Sequence, residues 1–136
     1  MSTLLLDTHT FLWAVNAPDR LGSAARTALE DRENGVFVSA ASAWEVATKH
    51  RLGKLPEADR WLPAWEAHVA RLGARSLPVT SRHALVAGGL EWSHRDPFDR
   101  MLAAQAVVED HVLVTRDAAF HAMPVQNGLR ALALLW

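Results

Sequence analysis

The chain has 136 residues, half of them hydrophobic, which suits one compact domain that buries most of the surface its unfolded form would expose. With 14 Lys and Arg against 15 Asp and Glu, the formal charge is −1, so no overall positive field advertises a polyanion partner and any such partner must be handled locally. The absence of cysteine excludes disulfides, thiolate metal sites and a Cys nucleophile, and fits a reducing compartment.

The opening "MSTLLLDTHTFLWAV" lacks a basic leader, and Asp7 and His9 interrupt its apolar run, so it makes a poor signal peptide. No stretch approaches the roughly 20 apolar residues of a membrane span. A soluble, cytoplasmic domain with no membrane association is expected.

In chain order, "TLLL" reads as a short buried strand, and a helical pattern runs from Thr8 to about Ala14. Asn16 and Pro18 in "NAPDR" mark a turn. A charged, mostly exposed helix spans about 23–32 and stops at Asn34-Gly35. "VFVS" is a β-branched and aromatic strand, and Ser39 or Ser42 caps a helix from about Ala40 to Arg51. Residues 58–72 place Trp61, Leu62, Trp65, Val69 and Leu72 on one helical face. "ARSLPVT" is a short strand or extended link, and Thr80 or Ser81 caps a helix through about Ala87. A helix from Pro97 to about Glu109 follows, then "HVLVT" as a strand and "ALALLW" as a plausible last one. Strands alternating with helices imply a three-layer α/β/α domain around a central parallel sheet, and the lack of repeats or linkers makes residues 1–136 a single domain.

In open parallel sheets, sites form beyond the carboxyl ends of the strands. Asp7 directly follows the first strand, and Asp117 lies two residues after "HVLVT". Either can be a plain helix cap: Asp7 for the helix at Thr8, Asp117 for the turn "AAFHA". Glu45 sits in the mostly apolar "SAASAWEVATKH". It can pair with Lys49 at i, i+4 on an exposed face, but few faces of that helix are polar, and a buried carboxylate requires a partner. In "HRDPFDRMLAAQA", Asp96 before Pro97 fits an N-cap with proline at the first helical position. Asp99 is then the third helical residue, where the helix dipole tolerates a carboxylate without explaining it. On this reading Asp96 starts the helix and Asp99 holds something else.

Brought to one edge, Asp7, Glu45, Asp99 and Asp117 would repel one another unless a cation compensates them or some take up protons. All-oxygen donors suit Mg²⁺ or Mn²⁺, which meet phosphate substrates. Zn²⁺ is disfavoured because the seven histidines show no paired ligand spacing. A lone His9 or His94 is ordinarily a surface or hydrogen-bonded residue. Lys49, Arg95, Arg100 and Arg116 lie close in sequence to the acids. They either rim the site and hold a phosphate backbone or merely offset neighbouring aspartates.

Four segments, "LLLDTHTFLW", "VSAASAWEVATK", "HRDPFDRMLAAQA" and "VLVTRDAAF", occur in order across residues 3–120 and together resemble the PIN-domain nucleases, most of all the VapC-type toxins of bacterial toxin–antitoxin pairs. The resemblance implies a Mg²⁺- or Mn²⁺-dependent endoribonuclease that acts on RNA. Its acidic quartet would be Asp7, Glu45, Asp99 and Asp117, with Asp96 as an accessory ligand and Thr8 or Thr115 as the small hydroxyl residue of the site. It also implies a cognate antitoxin that blocks the site, and a homodimer. Trp13, Trp61 and Trp65 lie on amphipathic stretches that suit either the core or a groove for an antitoxin helix, and Trp136 suits a sheet edge or an interface.

Two other classes compete. A catalytically silent PIN-like module would bind RNA or protein without turnover, although all four carboxylates are retained. A phosphotransfer domain would want a paired acid near Asp7 and a lysine after a later strand, and "LLLDTHT" offers neither closely.

Overall fold

Leu4, Leu5 and Leu6 are all buried, which only a strand covered on both faces allows. In the computed structural model, which describes residues 1–136, they form β1 (Thr3–Leu6) at the centre of a five-stranded parallel sheet. The order is β3-β2-β1-β4-β5, with β2 at Gly35–Ser39, β3 at Arg75–Leu77, β4 at Val112–Val114 and β5 at Leu134–Leu135. Leu6 pairs with Val38 on one side and Val114 on the other.

Alternation along β1 divides the interior into two cores. Leu4 and Leu6 pack with Phe11, Val38, Val46 and Val69, on the face covered by α1 (Thr8–Asn16), α2 (Ser23–Glu30), α3 (Ala40–Arg51) and α4 (Trp65–Arg71). Leu5 packs with Leu90, Leu102, Leu113 and Phe120, on the face covered by α5 (Ser81–Gly89) and α6 (Pro97–Glu109). The expected three layers and central parallel sheet are therefore present. No helix is long and apolar enough to cross a membrane.

The expected helix over 58–72 is not continuous. Two 3₁₀ turns, Pro56–Arg60 and Leu62–Ala64, precede α4. Pro63 has no amide hydrogen and disfavours helical backbone at Leu62, so the apolar periodicity continues while the helix does not. Trp61 and Val69 are still buried, and the Trp65 ring lies 4.8 Å from Phe11, so Trp61 and Trp65 serve the core. Trp136 meets Trp13 edge-on at 5.7 Å, packed beside Gly22. The last strand is shorter than "ALALLW": only Leu134 and Leu135 pair with β4.

The chain lays down β1, β2 and β3 toward one edge, then returns to add β4 and β5 on the other side of β1. The strand order thus reverses between β1 and β4, and a crevice opens beyond their carboxyl ends.

Candidate active site

Asp7 is the first residue past β1, in extended backbone, and its position determines both of its roles. Its Oδ1 accepts the Thr10 amide at 2.8 Å and caps α1, while its Oδ2 accepts the hydroxyl of Thr115 from the end of β4. The strand register accounts for the second bond: Leu6 lies opposite Val114, and the Asp7 amide donates to Val114 O at 3.1 Å. Asp7 is buried, and burial raises its pKa against the opposing hydrogen bonds from Thr10 and Thr115.

Glu45 enters from α3, which Ser39 caps at the end of β2 by accepting the Ala41 amide at 3.0 Å. Only 4% exposed, Glu45 needs its partners. The Thr8 hydroxyl donates to Oε1 at 2.6 Å and lies 3.0 Å from Ser42 Oγ, and Lys49 forms an ion pair with Oε2. The i, i+4 pair considered from sequence therefore exists, with its carboxylate turned inward rather than on an exposed face. Burial alone would lower the Lys49 pKa, but the bond to Glu45 and the charges of Glu45, Asp96 and Asp99 raise it overall.

Asp96 starts α6, its Oδ1 accepting the amides of Phe98 at 2.8 Å and Asp99 at 3.2 Å, with Pro97 next in line. Asp99 then projects from the first turn toward the crevice, where His94 Nε2 lies 2.7 Å from its Oδ2. Burial, chiefly, lifts the Asp99 pKa from 3.8 to about 6; the Asp96 and Glu45 carboxylates push the same way, and His94 opposes them.

Arg100 neither rims the cleft nor pairs with a neighbouring aspartate, the two roles its sequence position suggested. Its guanidinium donates to Ala87 O at 3.0 Å, Leu90 O at 2.7 Å, Trp92 O at 2.9 Å and His94 O at 3.1 Å. It ties the end of α5 and the 90–96 loop to α6, and so fixes the segment that carries His94 to Asp99.

Asp117 follows β4 and is exposed, its Oδ1 accepting the Ala119 amide at 2.9 Å to cap the 3₁₀ turn Ala118–Ala122. Thr115 Oγ1 accepts the Asp117 amide at 3.0 Å, so this one hydroxyl links two of the acids. Asp7, Glu45, Asp99 and Asp117 all line one cleft of about 370 Å³, with Arg116, Thr8, His9 and Trp13. Asp96, Lys49, Arg95 and Arg100 do not line it.

Four carboxylates with hydroxyl oxygens between them form a hard, all-oxygen donor set, and burial, reinforced by the Asp96 and Glu45 carboxylates, makes the charge on Asp99 costly without a cation beside it. No three His, Asp or Glu side chains come together so as to hold a metal ion. A Mg²⁺ or Mn²⁺ bound here would therefore take one or two of the carboxylates and keep several waters.

Sequence reasoning missed the part played by Ser42 and treated His94 only as a lone histidine. Ser42 lies three residues before Glu45, hence on the same helical face, which was a usable signal. His94 gave none, because its approach to Asp99 depends on the loop that Arg100 gathers. Both hydroxyl candidates are used, Thr8 on Glu45 and Thr115 on Asp7.

The model of the PIN domain family matches residues 4–126. Ribonuclease VapC22 of Mycobacterium tuberculosis (strain ATCC 25618 / H37Rv) is 33% identical over 121 residues, covering 86% of this chain and 88% of that protein. Ribonuclease VapC16 of the same organism is 38% identical over 58 residues, covering 43% of this chain and 41% of that protein. Among solved structures, VapBC2 from Rickettsia felis, bound to a DNA fragment from its promoter, has a chain that superposes with a TM-score of 0.69 at 18% identity, covering 98% of this chain and 97% of that one. FitAcB from Neisseria gonorrhoeae superposes with a TM-score of 0.57 at 22% identity, over 96% of this chain and 95% of that one. At these identities the solved structures bear on the fold alone.

Proposed function

The chain belongs to the PIN-domain family, and from that premise we propose that it is a metal-dependent endoribonuclease, the toxin of a toxin–antitoxin pair. The observation that carries the reading is the convergence of Asp7, Glu45, Asp99 and Asp117, from four separate segments, on one cleft at the strand-order reversal. The 33% identity to a ribonuclease over most of both chains supports the same activity.

Asp7 and Asp99 are the best-placed ligands for Mg²⁺ or Mn²⁺, with Glu45 and Asp117 completing the acidic surround and Asp96 acting through the helix cap. When bound, such a cation neutralises phosphate charge and supplies a nucleophilic water at neutral pH, the requirements of phosphodiester hydrolysis. The chain's own residues do the positioning. Thr115 and the Thr10 amide orient the two oxygens of Asp7, Thr8 and Lys49 hold both oxygens of Glu45, and His94 holds one oxygen of Asp99. Arg116, exposed on the cleft wall, is the cation placed to meet the RNA backbone. Arg95, exposed nearby in sequence, is a weaker candidate, and Lys49 acts through Glu45 instead.

A cognate antitoxin that covers the cleft, a homodimeric assembly and a cytoplasmic location complete the proposal, and they rest on the motif resemblance. The test is cleavage of total RNA by purified, antitoxin-free protein with Mg²⁺, Mn²⁺ or EDTA, alongside Asp99→Asn. Cleavage that needs metal and is lost in the variant is expected. Full cleavage by folded Asp99→Asn, or cleavage that persists in EDTA, overturns the assignment.

A further inference from the structure

Beside the acidic cleft lies a second hollow of about 270 Å³, and two side chains line both, His9 and Trp13. They are one helical turn apart on α1, with ring centroids 5.8 Å apart and planes tilted by 33°. Sequence places them there: Asp7 caps α1, so residues 9 and 13, at i and i+4, fall on the same face and beside the site. His9 is exposed and Trp13 half-buried.

The indole is braced rather than loose. Trp136 meets it edge-on at 5.7 Å, and Trp136 itself packs against Gly22, where even a Cβ would come within 2.8 Å of its backbone and ring. Over the indole, 5.7 Å from its centroid, lies the guanidinium of Arg20, an exposed side chain that also lines the second hollow. A braced aromatic surface, a second ring beside it and an exposed cation over it are the elements that bind an unpaired nucleobase and its phosphate. Burial of a hydrophobic core accounts for Trp61 and Trp65, but it does not account for an indole that forms the wall between two hollows, one of them holding the carboxylates.

We propose that Trp13, with His9 and Arg20, forms a stacking subsite for a base of single-stranded RNA next to the phosphate held in the acidic cleft. This deepens the ribonuclease reading and rests on it. The shared lining by His9 and Trp13 selects RNA as the occupant, because a strand whose phosphate reaches Arg116 can lay its neighbouring nucleotide against this wall. Arg20 swings from the indole to the phosphate as the base takes its place. Glu57, on the same hollow, disfavours an all-phosphate contact and leaves stacking as the main attraction. Because every base has a π-face, the subsite adds affinity and register without reading sequence.

The test uses the full chain carrying Asp99→Asn, with Mg²⁺ at low salt, and measures binding of a short labelled oligouridylate by fluorescence anisotropy, with RNA integrity checked afterwards. Trp13→Ala in this background should weaken binding by about tenfold and Trp13→Phe by about threefold. One abasic position walked along the RNA should weaken the parent to a similar extent and leave Trp13→Ala unaffected, a coupling that a general loss of structure would not produce. Should Trp13→Ala fail to fold, Arg20→Ala and His9→Ala, both at exposed positions, carry the same comparison. Affinity within twofold of the parent for every variant and every abasic position overturns the subsite and leaves the hollow to a protein partner. If the wild-type chain cleaves no RNA while the Asp99→Asn background shows the coupling, the ribonuclease reading is lost and the subsite kept. If the wild-type chain cleaves RNA while the Asp99→Asn background shows no coupling, the ribonuclease reading is kept and the subsite lost.

Discussion

Asp99→Asn should make the metal-free protein more stable at neutral pH while abolishing cleavage. The folded-state pKa of Asp99 is raised from 3.8 to about 6, so the folded protein binds this proton more tightly than the unfolded chain does. The sign follows: stability falls as pH rises through that window, and the full penalty applies above about 6. That rise corresponds to about 3 kcal/mol at most. Partial exposure of the side chain screens some of that, and the favourable charge–dipole interaction at the third position of α6 offsets a further ~0.5 kcal/mol. About 1–2 kcal/mol should therefore be released when the charge is removed, because asparagine keeps the shape and an acceptor oxygen for His94. For a domain of this size that is a rise in melting temperature of about 3–7 °C. The assay is thermal unfolding of both proteins in EDTA, at pH 7.5 and at pH 4. At pH 4 the two should melt together, since Asp99 is then nearly protonated in the folded state and half-protonated in the unfolded one. Mg²⁺ should raise the wild-type melting temperature at pH 7.5 and leave the variant less affected. Equal or lower stability of Asp99→Asn at pH 7.5 in EDTA would refute the view that burying the Asp99 carboxylate costs the metal-free fold stability.

Two further substitutions test the supports of the site. Arg100→Leu leaves the carbonyls of Ala87, Leu90, Trp92 and His94 without their shared donor, and should lower stability by about 2–4 kcal/mol in denaturant titration. It should also reduce cleavage more than its residual folded fraction explains, since His94 loses its fixed approach to Asp99, whereas a variant as active per folded molecule as wild type would show that the loop holds itself. Gly22→Ala should cost about 1–3 kcal/mol by overpacking against Trp136, read as a lower melting temperature. An unchanged melting temperature would mean that Trp136 moves freely, and with it the brace behind Trp13.

What could be read from sequence follows the range of the forces involved. β1, α1, α3 and α6 were readable because local signals agree with their tertiary use: an all-apolar strand for a two-sided burial, and Asp7, Ser39 and Asp96 directly before their helices. The 58–72 segment went astray where two local rules conflict, helical periodicity against Pro63. Apolar burial won the placement of Trp61 and proline won the backbone. In the cleft, most of the acids had a plain local role in the sequence, and Asp7 and Glu45 keep that role while also lining the cleft. Asp7 caps α1 with one oxygen and takes the Thr115 hydroxyl on the other. Glu45 forms the i, i+4 pair and faces the cleft. Asp96 and Asp99 divide the work, one capping the helix and the other projecting from it. Cap and candidate ligand are not competing explanations at such a site. A helix beginning at a strand end points its free amides into the crevice, so a carboxylate that caps it is already held where a cation and a phosphate would meet. Arg100 was misread for the complementary reason: its sequence neighbours are charged, but the groups that hold it are backbone carbonyls up to 13 residues away, which only the folded loop brings into reach.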